Sequence, residues 1–234
     1  MGGKSGSPEF PGAGNGHSER GKAMRSRSRL SAVVLVMVLS GLCAGVSAPA
    51  PGAGLEIRVT VDVRDMALND FVQFLSVKGG FTVDGDSIDG KVCIMADSVR
   101  IEDILDALVL THRFYFEVKG ENLTLYRAVK NRARYEAARK RVEAKAERGS
   151  VSIAGLEERI AVQAQDISIK DILKFYCKKG HLNFVLNSDD LAGTTSVSYQ
   201  DTQIRAALND LAQEVGADLW EVGDLLAVAK IVEE

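Results

Sequence analysis

The chain has 234 residues, 46% hydrophobic and 26% charged, with a formal net charge of -3. That length supports one large domain or two small ones, and the near-neutral balance gives no global drive toward nucleic acid. All four prolines precede residue 52, so a folded part with unbroken helices is expected from about Leu55 onward.

Residues 1–23 (MGGKSGSPEFPGAGNGHSERGKA) are rich in Gly and Ser and have no apolar periodicity. They read as a leader or an expression-derived segment. Met24 opens a different pattern: three arginines in MRSRSR, then the apolar run LSAVVLVMVLSGL, then small residues up to residue 54. This is the order of an export signal, and the run is short for a membrane span. Cys43 follows Leu42, where a lipoprotein signal needs a small residue. Export would leave Cys93 and Cys177, which is too few for a disulfide framework. They could pair only if the two halves of the chain pack face to face; otherwise they are small buried hydrophobes.

From Ile57 the chain alternates: Ile57, Val59, Val61 and Val63 point one way and Arg58, Thr60, Asp62 and Arg64 the other, as in a strand with one wet face. DMALNDFVQFLSVKGG then takes helical spacing, with Leu68, Phe71, Val72 and Leu75 on one face, Asp65 placed as a cap and Gly79-Gly80 as the stop. FTVDGDSIDG predicts a short strand and a turn, and KVCIMA a second alternating strand. SVRIEDILDALVL predicts a helix capped by Ser98, with Ile101, Ile104, Leu105 and Leu108 inward. FYFEV and LTLY predict a hairpin around KGEN.

The order then recurs. IAVQA is a strand, and DISIKDILKFYCKKG matches DMALNDFVQFLSVKG position for position, so that Asp166 stands for Asp65 and Gly180 for Gly79. After LNFVL the turn is two residues longer. From Gly193, which stands for Gly90, the offset is constant: Val197 for Ile94, Ile204 for Ile101, Leu208 for Leu105, Leu211 for Leu108, Gly223 for Gly120 and Leu226 for Leu123. Glycines and core positions in step over roughly seventy residues predict an internal duplication of one small α+β unit, each copy β-α-β-β-α-β-β.

VDVRDMALNDFVQFLSVKGGFTV and GKVCIMADSVRIEDILDALVLTHRFYFEVKGENLTLY resemble the secretin and TonB N-terminus short domain (STN domain). The second copy departs more, since TTSVSYQDTQ replaces KVCIMADSVR. The resemblance implies STN-like domains over residues 55–127 and 158–231, joined by a basic helical linker over 128–157. It also implies a periplasmic or outer-membrane-associated docking module that meets a secretin-type or TonB-linked protein of the cell envelope.

Residues 130–148 of that linker carry eight basic and three acidic residues and no Pro or Gly, a helix-favouring composition with a thin apolar stripe of Tyr135, Ala138 and Val142. It reads as a solvated spacer, or as a basic ruler for an anionic membrane surface or an acidic partner. Lys130, Arg134, Arg139, Lys140 and Arg141 are its candidate contacts, and Trp220, expected to pack against a helix, is a candidate binding anchor.

No reactive motif stands out. There is no P-loop, no G-x-G-x-x-G and no His-Cys spacing for a metal, and His112 and His181 stand at non-equivalent helix ends. The acidic turn DGDSIDG lacks calcium ligands where Ile88 and Met95 stand. The expectation is a non-enzymatic interaction module without metal or cofactor and without nucleic acid as partner. Two rivals are a KH-like nucleic-acid binder, which needs a G-x-x-G loop that KGGF and KKGH do not supply, and a small envelope enzyme with an unrecognised site.

Overall fold

The computed structural model describes residues 53–148 and 153–230. The leader and, up to residue 52, the export segment lie outside the described residues. The fold is mixed α+β, with five α-helices and ten strands among the described residues. The first segment runs β1 (Arg58–Ala67), α1 (Leu68–Gly79), β2 (Thr82–Gly85), β3 (Lys91–Arg100), α2 (Ile101–His112), β4 (Phe114–Lys119) and β5 (Asn122–Arg127). Helix α3 (Arg132–Arg148) follows. The second segment runs β6 (Arg159–Ser168), α4 (Ile169–Lys179), β7 (Asn183–Asn187), β8 (Thr194–Gln203), α5 (Ile204–Val215), β9 (Ala217–Val222) and β10 (Leu225–Lys230).

The order of elements recurs, and so does the strand register. In the β1/β3 pair Val61 faces Ala96, Asp62 faces Met95 and Val63 faces Ile94; in β6/β8 Val162 faces Tyr199, Gln163 faces Ser198 and Ala164 faces Val197. Both pairs are interrupted by bulges at corresponding places. Asp65 and Ser98, and their counterparts Asp166 and Asp201, sit there with positive φ.

This corrects two expected caps. Asp65 and Ser98 lie in the strands, and neither α1 nor α2 has a side-chain cap. Main-chain carbonyls accept from the first helical N–H instead: Gly90 from Leu68 at 3.0 Å, Ile57 from Ile101 at 3.0 Å, Gly193 from Ile169 at 3.2 Å and Glu158 from Ile204 at 2.8 Å. The matched glycines thus have a job. At φ 117° and 124°, Gly90 and Gly193 hold a conformation that L side chains rarely adopt, and their carbonyls meet the helix starts.

The strands assort into three sheets: β1-β3-β7-β10-β9, β2-β5-β4 and β6-β8. The five-stranded sheet crosses from one segment to the other, because β7 adds antiparallel to β3, with Cys93 opposite Leu186 and Met95 opposite Phe184. β10 is apolar at every position but the last, and its two faces serve different cores. Leu225 and Ala227, with Val185 and Val222, join the core of the first segment. Leu226 and Val228, with Phe184 and Leu186, join the core of the second, which also takes in Cys93. The element boundaries near residues 127 and 158 therefore mark where the pattern repeats, while the packing runs across them. Helix α2 is buried along nearly its whole length, from Ile101 to His112, including Asp103, Asp106 and Thr111.

Helix α3 forms where the basic run predicts a helix, but it does not cross solvent as a spacer. Val142 is fully buried, Ala146 is 8% exposed, and both belong to the core of the first segment, against which Tyr135 also packs.

Candidate functional site

The strongest concentration of charge lies where α3 crosses α2. The sequence places Glu102, Asp103 and Asp106 on α2 and Arg141 and Lys145 on α3. Lys145 Nζ donates to Asp106 at 2.9 Å and lies 3.4 Å from both Asp103 and Glu102. Arg100 grips Asp103 with two bonds, at 2.8 and 2.9 Å. Arg141 stands 3.7 Å from Asp106 and over the ring of Phe116. The side chains of Asp103 and Asp106 are only 4% exposed. Burial pushes the Asp106 carboxyl up, partly offset by the Lys145 bond and charge. A buried pair of carboxylates can mark acid–base chemistry, but here each is neutralised by a cation from a neighbouring turn or helix. The arrangement is a clasp holding α3 on α2.

The basic residues proposed as partner contacts are mostly engaged within the chain. Lys130 pairs with Asp86 at 2.5 Å, Arg134 with Glu117 at 3.0 Å and Arg139 with Glu143 at 2.7 Å. Arg141 joins the clasp, and Lys140 is exposed. They form no single basic face: Lys130 ties α3's approach to the turn after β2, and Arg134 ties the helix to β4. Trp220 is half-buried against the core of the first segment, so it helps join the two segments. The turn DGDSIDG is also spoken for: Ile88 is 4% exposed, and Asp86 accepts from Lys130 and from the Arg127 N–H.

His112 ends α2 at 6% exposure. Its Nδ1 lies 2.7 Å from the Thr111 hydroxyl and its Nε2 lies 3.3 Å from the Lys91 carbonyl. Burial pushes its pKa down to about 4. The folded state therefore keeps His112 neutral while the unfolded chain takes up a proton near the ordinary histidine value. Stability should be lost as pH falls through that window: about 2 kcal/mol between about pH 7 and about pH 5. Urea unfolding of the parent and of His112→Asn at both pH values checks this. Equal pH dependence in the two would show that His112 is not the group responsible. His181, by contrast, is exposed.

Cys93 and Cys177 are free thiols, both buried in the core of the second segment. The two segments do pack together, and the thiols serve as apolar contacts there; burial pushes both thiol pKa values up, away from nucleophilic use.

Among the described residues no group of three or more His, Cys, Asp or Glu is placed to hold a metal, and no helix is long and apolar enough to cross a membrane. What the described part does offer is sheet edges. β6-β8 is an open two-stranded sheet, and β2 and β4 bound the three-stranded one. No protein-family model matches the chain, and no curated protein matches it.

Proposed function

We propose that the protein is an exported docking module of the cell envelope, built from two tandem STN-like repeats, that recruits a secretin-type or TonB-linked protein partner and carries out no chemistry of its own. The observation that carries this reading is the use of an edge strand inside the chain. β3 accepts β7 as a sheet neighbour, and strand addition at exposed edges is a common mode of protein recognition. The engagement of the buried carboxylates in a structural clasp supports the same reading. So does the export pattern of MRSRSRLSAVVLVMVLSGL. The two repeats do not act as beads on a stiff helix. They present their edges from one fused body, so the spacing of docking edges is set by the shared sheet.

The test has two parts. N-terminal sequencing of the native protein should find a start between Val46 and Leu55 in the envelope fraction. An intact Met24 on cytoplasmic protein would remove the export part of the reading. Photo-crosslinking from Ser196 in living cells should trap an envelope protein. Crosslinking to nucleic acid instead would favour the KH-like rival.

A further inference from the structure

The recurring register carries a consequence for β8. β3 and β8 occupy the same place in their segments, pair for pair against β1 and β6. On its other side β3 carries β7, whereas β8 has no second neighbour among the described residues. The direction of the free backbone groups can be read from β3. The Lys91 carbonyl accepts from the Ser188 N–H at 2.8 Å, and the Asp97 N–H donates to the Asn183 side chain at 2.7 Å. In a regular strand alternate residues share a direction, so Lys91, Cys93, Met95 and Asp97 face β7 with their main-chain groups. The corresponding residues of β8 are Thr194, Ser196, Ser198 and Gln200. All four are exposed, while Thr195 and Val197 between them are buried.

The side chains around this edge indicate the chemistry of its occupant. At the inner junction the acidic rim of β1 meets lysines of α4: Asp65 lies 3.3 Å from Lys170 and Asp62 lies 3.7 Å from Lys174. At the outer edge Asp166 keeps the place of Asp65, and α5 adds Asp210 and Glu214 on its exposed face. Among the described residues none of these three acids forms an ion pair. The apolar residues of the inner junction are gone from the outer edge: Ser196 stands for Cys93 and Ser198 for Met95. On α5, Asp210 and Gln213 stand for Ala107 and Leu110, which are buried on α2. A second copy of this chain would bring β2, with Asp84, to the edge by the same packing, and Asn69 and Gln73 of α1 where Lys170 and Lys174 stand at the inner junction, so it lacks the lysines that meet the acids there.

Resting on the docking reading, we infer that the outer edge of β8 is the partner site, and that its occupant is an extended, polar, lysine- or arginine-bearing strand of another protein, added antiparallel over residues 194–200. Main-chain bonds to Ser196 and Ser198 would hold it, and Asp166, Asp210 and Glu214 would select its charge.

The probe for the test is a synthetic peptide of about ten residues alternating lysine and threonine, with an alternating glutamate and threonine peptide as control. Added to the full chain, the lysine peptide should slow amide exchange at Ser196 and Ser198, and the glutamate peptide should not. Ser196→Pro and Ser198→Pro each remove one outward N–H; Ser198→Pro leaves the β6/β8 bonds in place, while Ser196→Pro also loses the hydroxyl that accepts from the Asp166 N–H at 3.2 Å, and each should weaken lysine-peptide binding about tenfold. The triple change Asp166→Asn, Asp210→Asn, Glu214→Gln should weaken it most at low salt. Unchanged exchange at Ser196 and Ser198 overturns the proposal even if a proline variant fails to fold, because that measurement uses the parent chain. Proline variants that bind as tightly as the parent also overturn it, since charge alone would then suffice. So does a self-associated parent that the proline variants disperse, which would make a second copy the occupant. If the envelope partner crosslinks from the β1 or β2 edge and not from Ser196, the β8 site fails while the docking reading stands.

Discussion

Lys145→Met should destabilise the protein by about 3 kcal/mol. The substitution keeps the length and apolar stem of the side chain and removes only its ammonium. That group sits 2.9 Å from Asp106 and 3.4 Å from Asp103, whose side chains are 4% exposed. Breaking one partner out of a buried ion pair costs about 3–5 kcal/mol, because the other charge stays behind in a poor solvent. The low end applies here: Lys145 is itself 37% exposed, and Arg100 continues to hold Asp103. The loss should depend on pH in a specific direction. Burial already holds the Asp106 carboxyl above its ordinary value, and removing the lysine pushes it further up. A group raised in the folded state contributes stability at low pH and loses it as pH rises through the folded value, so the variant should recover part of its deficit under acid conditions. Adding Asp106→Asn to Lys145→Met should restore much of the loss at neutral pH. Denaturant unfolding of the three chains at two pH values decides the matter. A Lys145→Met cost under about 0.5 kcal/mol would mean that water already screens the cluster.

The clasp also shows what the sequence could and could not reveal. The helices and strands were legible from periodicity, because a face that meets a core must be apolar at the spacing of its own element. What that face meets is a different question, and here the signals were present but of another kind. Helix α2 reads IEDILDALVLTH, apolar beyond a single stripe, while its counterpart α5 reads IRAALNDLAQEV, with polar residues on the outer side. That contrast marks α2 as covered on two sides. β10 reads LLAVAK, a continuous apolar run, while its counterpart β5 reads NLTLYR, which alternates. A run without alternation marks a strand between two cores. A third signal was an exact repetition: AGLE occurs at Ala53–Glu56 and again at Ala154–Glu157. Both form short 3-10 turns, and a Cβ on Gly54 or Gly155 would collide with the carbonyl of Gly79 or Gly180. The close approach of that turn to the helix end requires glycine, so the motif recurs unchanged. The clasp was the least legible feature. Ionic partners from helices separated by a hairpin have no spacing rule, so Lys145 looked like one more charge in a solvated run. The basic residues suggested a surface for a partner because composition alone does not show which acids the fold brings to them.

The two segments should fail to fold when separated. Residues 53–148 expressed alone would leave α2 without the sheet that covers it, and residues 153–230 alone would expose the other side of the same contact. The apolar side chains at stake on the second segment include Val185, Val222 and Leu225, all fully buried. Each contributes about 1.5–3 kcal/mol by burial, or about 5–9 kcal/mol together, and the lost β3/β7 bonds add to that. Small domains hold only about 5–15 kcal/mol in total, so the deficit is of the same order as everything either piece could supply. Each piece alone is therefore expected to show weak circular dichroism and collapsed amide dispersion, with aggregation through the bare β7 or β3 edge. Mixed in equal amounts, the pieces should regain structure, because the missing contacts are non-covalent and each piece supplies what the other lacks. The reconstituted pair should unfold at a temperature that rises with concentration, as a dissociating complex does. The contrary result is easy to recognise. If either piece alone unfolds cooperatively with stability close to that of the whole chain, the shared sheet contributes little, and the two segments are independent units that merely lie side by side.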